Sequence, residues 1–275
     1  MTPAPGGEAQ AVLEHALSCL ADGRPEPITG ADTAAWSERC VEVPWVAGQL
    51  TGSKRVLDVG WAMAPPEWLG VLLATQDRGT DLTGIDIVDP QRVKTRYPSE
   101  LVERVLATPI RVESILDAHP VDGAYDTITC VSTLEHIGFD IATPPETTDT
   151  AYVRAARAED AVATRDPMTD RSFLDAAARL LAPGGALLLS VPAGKGEAIL
   201  HQDSLGLFTY QFEYGPDDWA AVTSDPRFRL DQEAFFRHDE ARGWEQVGTF
   251  DALTDQSSAM RPFATGCAMA RLVLR

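Results

Sequence analysis

Between Arg55 and Ala64 the chain reads Arg-Val-Leu-Asp-Val-Gly-Trp-Ala-Met-Ala, and this stretch restricts the fold more than any other. Val56, Leu57 and Val59 form a short apolar run with β-branched residues, the pattern of a strand buried on both faces of a parallel sheet. The run closes on Asp58, Val59 and Gly60. Small residues come next at Ala62 and Ala64, and Pro65-Pro66 opens a helical segment over Glu67 to Gln76. A strand that turns directly into a helix leaves backbone N–H groups and a carboxylate at the carboxyl edge of the sheet. Open α/β sheets take their ligands there.

The next segments repeat this logic. Asp81 to Ile87 alternates and ends with Asp86 at its tip, where a carboxylate can accept the ribose hydroxyls of an adenosyl group; the competing reading is a loop aspartate that caps the next helix. A helix is expected over about Pro90 to Leu106, a third strand over Pro109 to Val112 and a fourth over Tyr125 to Val131, which runs straight into Ser132-Thr133-Leu134-Glu135-His136-Ile137-Gly138. An amphipathic helix from Ser172 to Leu181 is stopped by Ala182-Pro183-Gly184-Gly185, and Ala186 to Val191 makes a fifth strand.

On either side of this frame the patterns are looser. Residues 1–7 are Pro/Gly-rich and read as a tail, Glu8 to Ala21 carries one apolar stripe, and a second helical segment is expected from Ala31 to about Leu50, with a break at Pro44. Phe139 to Asp170 is a polar stretch of a length that usually marks a lid or substrate loop, and Ala151 to Ala163 has the composition of a lid helix. Gly194 to Gly206 reads as a loop, Asp217 to Val222 as a helical turn and Phe228 to Arg237 as strand-like. Trp244 to Phe250 and Thr265 to Leu274 are expected as sixth and seventh strands. The division is then 1–50 for the tail and capping helices and 51–275 for the main domain, with an insertion at about 139–170.

Charge narrows the partners. A formal net charge of −18 and no clustered Lys/Arg run exclude a phosphate-tracking surface, so no nucleic acid is expected. No uninterrupted apolar run approaches the roughly 18 residues of a membrane span, and no basic-then-apolar leader opens the chain. Cys19, Cys40, Cys130 and Cys267 lack metal-ligand or disulfide spacing and read as reduced core thiols. The cytoplasm is the expected location. No histidine pair has metal-ligand spacing, so no metal is expected.

The acid, spacer and glycine of Asp58 to Gly60, the Asp86 tip, the Tyr125-Asp126 start with Glu135-His136 after strand four, and the Leu-Leu-Ala-Pro-Gly-Gly-Ala-Leu-Leu-Leu-Ser-Val-Pro segment resemble the class I S-adenosylmethionine-dependent methyltransferases of small-molecule type. The match extends over residues 55–192, with Ala62 and Ala64 in place of the second and third glycines. It implies a Rossmann-like, seven-stranded, mostly parallel sheet with N-terminal helices and a lid-like insertion, and S-adenosyl-L-methionine as cofactor. The cofactor residues it implies are Asp58, Gly60, Trp61 and Ala62 on the first turn and Asp86 with Ile87 on the second strand. Ser114 and Ile115 would meet the adenine, and Ser132 would lie after strand four.

Displacement at a methyl carbon needs alignment of nucleophile, methyl and sulfur, and a hydroxyl acceptor must also lose its proton. His136, beside Glu135, stands where such a base belongs, because an imidazole exchanges protons near neutral pH; proximity alone, with His136 lining the cleft, is the other reading. The expected activity is O-methylation of a sugar or other natural-product hydroxyl, with a small-molecule acceptor as partner and a homo-oligomer compatible with everything in the chain. Two rivals remain: a non-catalytic binding or scaffold protein on the same fold, and an NAD-dependent oxidoreductase. The second lacks support from Asp58, Ala62 and Glu135-His136.

Overall fold

The computed structural model of the protein describes residues 7–119, 125–141, 154–155, 163–202 and 208–275. Its centre is a sheet of eight strands. In chain order these are β1 (Arg55–Val59), β2 (Asp81–Asp86), β3 (Ile110–Val112) and β4 (Tyr125–Val131), with four more after an insertion. The insertion and the chain beyond it carry β5 (Phe139–Ile141), β6 (Arg154–Ala155), β7 (Ala163–Arg165), β8 (Leu181–Pro192), β9 (Glu197–Gln202), β10 (Phe208–Glu213), β11 (Phe228–Asp239), β12 (Gly243–Val247) and β13 (Gly266–Leu274). The large sheet runs β12-β11-β13-β8-β4-β1-β2-β3. Strands β3, β2, β1, β4 and β8 are parallel neighbours, while β13, β11 and β12 each pair antiparallel.

Seven strands were expected and eight are present. The strand beyond the seven is Phe228–Asp239, which read only as strand-like; Gly243–Val247, expected over Trp244 to Phe250, folds back on it as a hairpin and pairs Phe235 with Val247 through Asp239 with Gly243. The strand expected over Thr265 to Leu274 is β13, Gly266–Leu274. The order reverses at β1/β4, so the crevice beyond their carboxyl ends is the topological switch point of the sheet.

Side chains leave the central strands alternately. Val56 joins a core with helices α1 (Gly7–Asp22), α2 (Arg39–Gln49) and α3 (Pro66–Asp77), whereas Leu57 and Val59 join the core on the opposite face. That second core is closed by helices α6 (Thr169–Leu180) and α7 (Pro216–Thr223). Between the two groups, the helix expected over Pro90 to Leu106 is divided at Pro98 into α4 (Pro90–Val93) and α5 (Ser99–Ala107), with a 3-10 turn at Lys94–Arg96. Helix α2 begins later than expected, at Arg39, and continues through Pro44. Proline offers no N–H to the carbonyl of Cys40, and Ile28 N donates to that carbonyl at 2.9 Å instead.

The insertion holds strand where a loop and a lid helix were expected. Glu197–Gln202 pairs antiparallel with β10, which pairs in turn with Arg154–Ala155. Phe139–Ile141 pairs with Ala163–Arg165. The rest of the expected lid helix, and the tail over residues 1–6, lie outside the described residues.

Candidate active site

Gly60 ends β1 in the left-handed conformation, with φ 91°. A Cβ there would stand 2.4 Å from Thr133 Oγ1, so both the backbone angle and the close approach of the turn after β4 require glycine. The chain then makes a 3-10 turn over Trp61–Met63 before α3. Trp61 is fully buried against Gly84 of β2 and belongs to the core beneath α1–α3. Ala62 is also fully buried in that core, so its methyl does not crowd the crevice.

A cavity of about 350 Å³ opens over the ends of β1, β2 and β3 and the turn after β4. Gly60, Asp86, Ile87, Ser114, Ile115 and His136 all line it. Six of the residues expected from the sequence are therefore brought together. Asp58, Trp61, Ala62, Glu135 and Ser132 are not part of this lining.

Asp86 is tied into the floor of the cavity. Its Oδ2 accepts from Ala62 N at 2.9 Å and its Oδ1 from Val88 N at 2.9 Å. Burial raises its pKa, and these backbone donors oppose the rise. Each carboxylate oxygen carries two lone pairs, so an edge remains for hydroxyl donors from the cavity side. Ile87, 60% exposed, offers an apolar wall next to it, and Ser114 Oγ is turned to its own loop, accepting from Leu116 N at 3.2 Å. Carboxylate, apolar wall and glycine turn around a cavity within the volume range of small-ligand sites fit an adenosyl group.

Asp58 lies under the crevice. Its Oδ1 accepts from Trp68 Nε1 at 3.0 Å and Thr129 Oγ1 at 2.7 Å. Burial pushes its pKa up to about 7 despite these two donors.

The turn after β4 carries the second half of the site. Ser132 has φ 42°, a strained angle for a side chain with a Cβ, and its Oγ donates to Glu42 Oε1 at 2.7 Å. His136 Nδ1 lies 2.8 Å from the carbonyl oxygen of Tyr210 on β10. A carbonyl only accepts, so Nδ1 carries the proton and the neutral ring presents Nε2 as its acceptor. Nε2 is 3.9 Å from Glu135 Oε1. Arg165 clamps this turn from β7: its Nε donates to Ile137 O at 3.1 Å and its Nη2 to Leu134 O at 3.3 Å. Asp170 and Tyr214 fix the guanidinium in turn, at 2.6 and 2.9 Å from Nη2.

Behind His136 a smaller pocket of about 70 Å³ is lined by Glu38, Arg39, Ser132, Glu135, His136 and Gln211 among others. His136 thus faces both cavities. Arg39 Nη1 donates to Glu42 Oε2 at 2.8 Å. Burial disfavours its charge, but Glu42, Glu38, Glu67 and Glu135 more than offset this and raise its pKa. Glu135 is 2% exposed, and burial pushes its pKa up to about 8. Sequence reasoning missed Glu38, Arg39, Glu42 and Gln211. They come from α2 and β10, and only Arg39 with Glu42, three apart on one helix face, left a local signal. Among the described residues no group of His, Cys, Asp and Glu has the arrangement of a metal site, and all four cysteines are buried free thiols.

Comparison with known proteins agrees with this geometry. A family model described as "Methyltransferase domain" matches residues 35–218. No curated protein matches the chain. Among solved structures, an S-adenosylmethionine-dependent methyltransferase from Methanosarcina mazei is similar at 14% identity, covering 83% of this chain and 96% of that one with a TM-score of 0.49. The 1,6-didemethyltoxoflavin-N1-methyltransferase of Burkholderia thailandensis is similar at 13% identity, covering 100% and 92% with a TM-score of 0.44. A glycopeptide N-methyltransferase, MtfA, solved with S-adenosylmethionine, is similar at 12% identity, covering 81% and 88% with a TM-score of 0.44. With its family model spanning α2 to α7 and the crevice at the switch point of its sheet, the chain belongs to the methyltransferase domain family, the class I S-adenosylmethionine-dependent methyltransferases.

Proposed function

We propose that the protein transfers a methyl group from S-adenosylmethionine to a hydroxyl of a small acceptor, a sugar or another natural product, with His136 as the base. The observation that carries this reading is the place of His136. It lies between the large cavity and the small polar pocket, and its ring is fixed in the tautomer that accepts at Nε2.

Asp86 is assigned to the ribose hydroxyls, Ile87 and Ile115 to the faces of the adenine, and the Gly60 turn to the methionine part, where a further small cavity is lined by Arg39, Gly60 and Ser132. S-adenosylmethionine, when bound, would supply an electrophilic methyl carbon on a sulfonium whose departing form is a neutral thioether. His136 Nε2 takes the hydroxyl proton as the acceptor oxygen forms its bond to that carbon. Tyr210 O holds the Nδ1–H throughout and, as an acceptor, favours the imidazolium that results, while Glu135 Oε1 lies 3.9 Å from Nε2. Arg165 keeps the turn in register by its two carbonyl contacts.

The test is isothermal titration with S-adenosylmethionine, S-adenosylhomocysteine and NAD on the wild type and Asp86→Ala. Micromolar binding of the two sulfur compounds, lost in Asp86→Ala and absent for NAD, is expected. Absence of binding by either sulfur compound would leave a non-catalytic protein on this fold.

A further inference from the structure

The pocket behind His136 is small and lined mostly by polar side chains. Four carboxyl groups, Glu38, Glu42, Glu67 and Glu135, surround the one guanidinium of Arg39. Arg39 is committed to Glu42, 2.8 Å away, and lies 3.7 Å from Glu38. The other groups there are largely occupied too: Glu42 Oε1 accepts from Ser132 Oγ, and Glu38 Oε2 accepts from Ala264 N at 3.0 Å. Two buried atoms stand apart. Among the described residues neither Glu135 Oε2 nor Gln211 Nε2 has a hydrogen-bond partner, and their side chains belong to residues 2% and 5% exposed. Both residues line the pocket.

A buried carboxylate oxygen and a buried amide N–H without partners are costly, and buried polar groups in folded proteins are ordinarily satisfied. The complement they define is specific. Glu135, which holds a proton in the free protein near neutral pH, can release it to solvent when a donor arrives and, in a setting with more carboxyl groups than cations, a positively charged donor meets the local field. Gln211 Nε2 asks for an acceptor. An ammonium group has three donors and no acceptor, so it satisfies Glu135 but not Gln211. An ammonium with an oxygen on a neighbouring carbon satisfies both.

We infer that this pocket binds the ammonium group of the acceptor, which belongs to the amino alcohols, amino sugars among them, with Glu135 and Glu38 holding the cation and Gln211 the neighbouring oxygen. The inference rests on the methyltransferase reading above, because it is His136 on the shared wall that makes this pocket the acceptor side. The volume of about 70 Å³ admits one such group and leaves the remainder of the acceptor in the larger cavity.

The test is calorimetric titration of the S-adenosylhomocysteine-saturated protein with ethanolamine and glucosamine, against ethylene glycol and glucose as neutral counterparts. Wild type is expected to bind each amine on the order of tenfold or more tighter than its neutral counterpart, and Glu135→Gln to lose that preference. Glu38→Gln, at a residue on the pocket rim, is expected to weaken the amines by a smaller factor and guards against a folding defect in the first variant. Unchanged S-adenosylhomocysteine affinity in both variants verifies that they fold. Equal affinity for amines and neutral counterparts in the wild type overturns the inference. So does a Glu135→Gln protein that loses S-adenosylhomocysteine but keeps its amine preference, since the pocket would then serve the cofactor's own ammonium. Failure of the wild type to bind S-adenosylhomocysteine overturns the methyltransferase reading itself, whichever way the amines behave.

Discussion

The two halves of the crevice handle buried charge in opposite ways. Over β1–β3, Asp86 is anchored by backbone N–H groups from Ala62 and Val88, and its neighbours Ile87 and Ile115 are apolar. Behind β4, Glu135 is buried more deeply, has no donor at Oε2 and shares its surroundings with Glu38 and Glu42. A half whose lining carboxylate is anchored before anything binds is suited to a constant ligand. A half with orphaned polar atoms gains most when a particular ligand arrives, which is where selectivity resides.

The largest effect that would break this division concerns His136. His136→Gln keeps a side chain able to hydrogen-bond but removes the base, so kcat is expected to fall by about 10²–10⁴ while S-adenosylhomocysteine affinity stays within about threefold. Steady-state kinetics with an accepted substrate, alongside titration, measures both. A fall in kcat smaller than about tenfold would mean that positioning alone drives transfer and that His136 only lines the cleft.

Next in size is the pH dependence of folding. The folded-state pKa of Glu135 is about 8 and that of Asp58 about 7, both above the ordinary carboxylate values of 4.5 and 3.8. Between the ordinary and the raised value the folded protein holds a proton that the unfolded chain has released. Stability is therefore greatest in mild acid and falls as pH rises, through about 7 for Asp58 and about 8 for Glu135. Urea denaturation at pH 5 and pH 9 is expected to show Glu135→Gln gaining on the wild type, by on the order of 3 kcal/mol at the higher pH. A constant difference across that window would mean that Glu135 is solvated in the free protein, and the contrast between the two halves would disappear.

A third variant tests whether the insertion serves the half behind β4 alone. Arg165→Met preserves stem length but releases the carbonyls of Leu134 and Ile137, which flank Glu135-His136. Because the guanidinium also meets Asp170 and lies 4.6 Å from the Phe212 ring, a loss of about 2–3 kcal/mol in stability is expected. Turnover is expected to fall about tenfold or more with little change in S-adenosylhomocysteine affinity, since a small displacement of His136 is enough to lose alignment. Equal losses in both would place the clamp under the whole crevice.

The same contrast explains what could be read from the chain. The half over β1–β3 was legible because it is local: strand, turn and helix succeed one another from Arg55 to Asp77, and Asp86 ends the next strand, so apolar periodicity and a glycine locate them. The half behind β4 gathers Arg39 from α2, Glu135 from the turn after β4, Gln211 from β10 and Ala264 from the approach to β13. Sequence separation of that kind leaves no period. Trp244 to Phe250 was expected as the sixth strand, and Gly243–Val247 takes the outer edge of the sheet, because pairing order is set by which edge a hairpin covers and not by its composition. The strand over Glu197–Gln202 was read as a loop for a related reason: in a small three-stranded sheet its partners, and not its pattern, make it a strand.

The smallest expected effect bears on Asp58, the acid of the first motif. Trp68 Nε1 donates one of its two hydrogen bonds at 3.0 Å, and Trp68→Phe removes that donor while keeping most of the ring. A stability loss of about 1–2 kcal/mol at pH 8 is expected, larger than at pH 5, because a donor that favours the ionised form is gone and the carboxyl then titrates higher. Denaturation at the two pH values measures this. S-adenosylhomocysteine affinity is expected to change by less than about twofold, since Asp58 lies beneath the cavity and not on its lining. A tenfold loss of affinity would instead carry Asp58 into the cofactor site proper, and the half over β1–β3 would then contain a titrating carboxyl of its own.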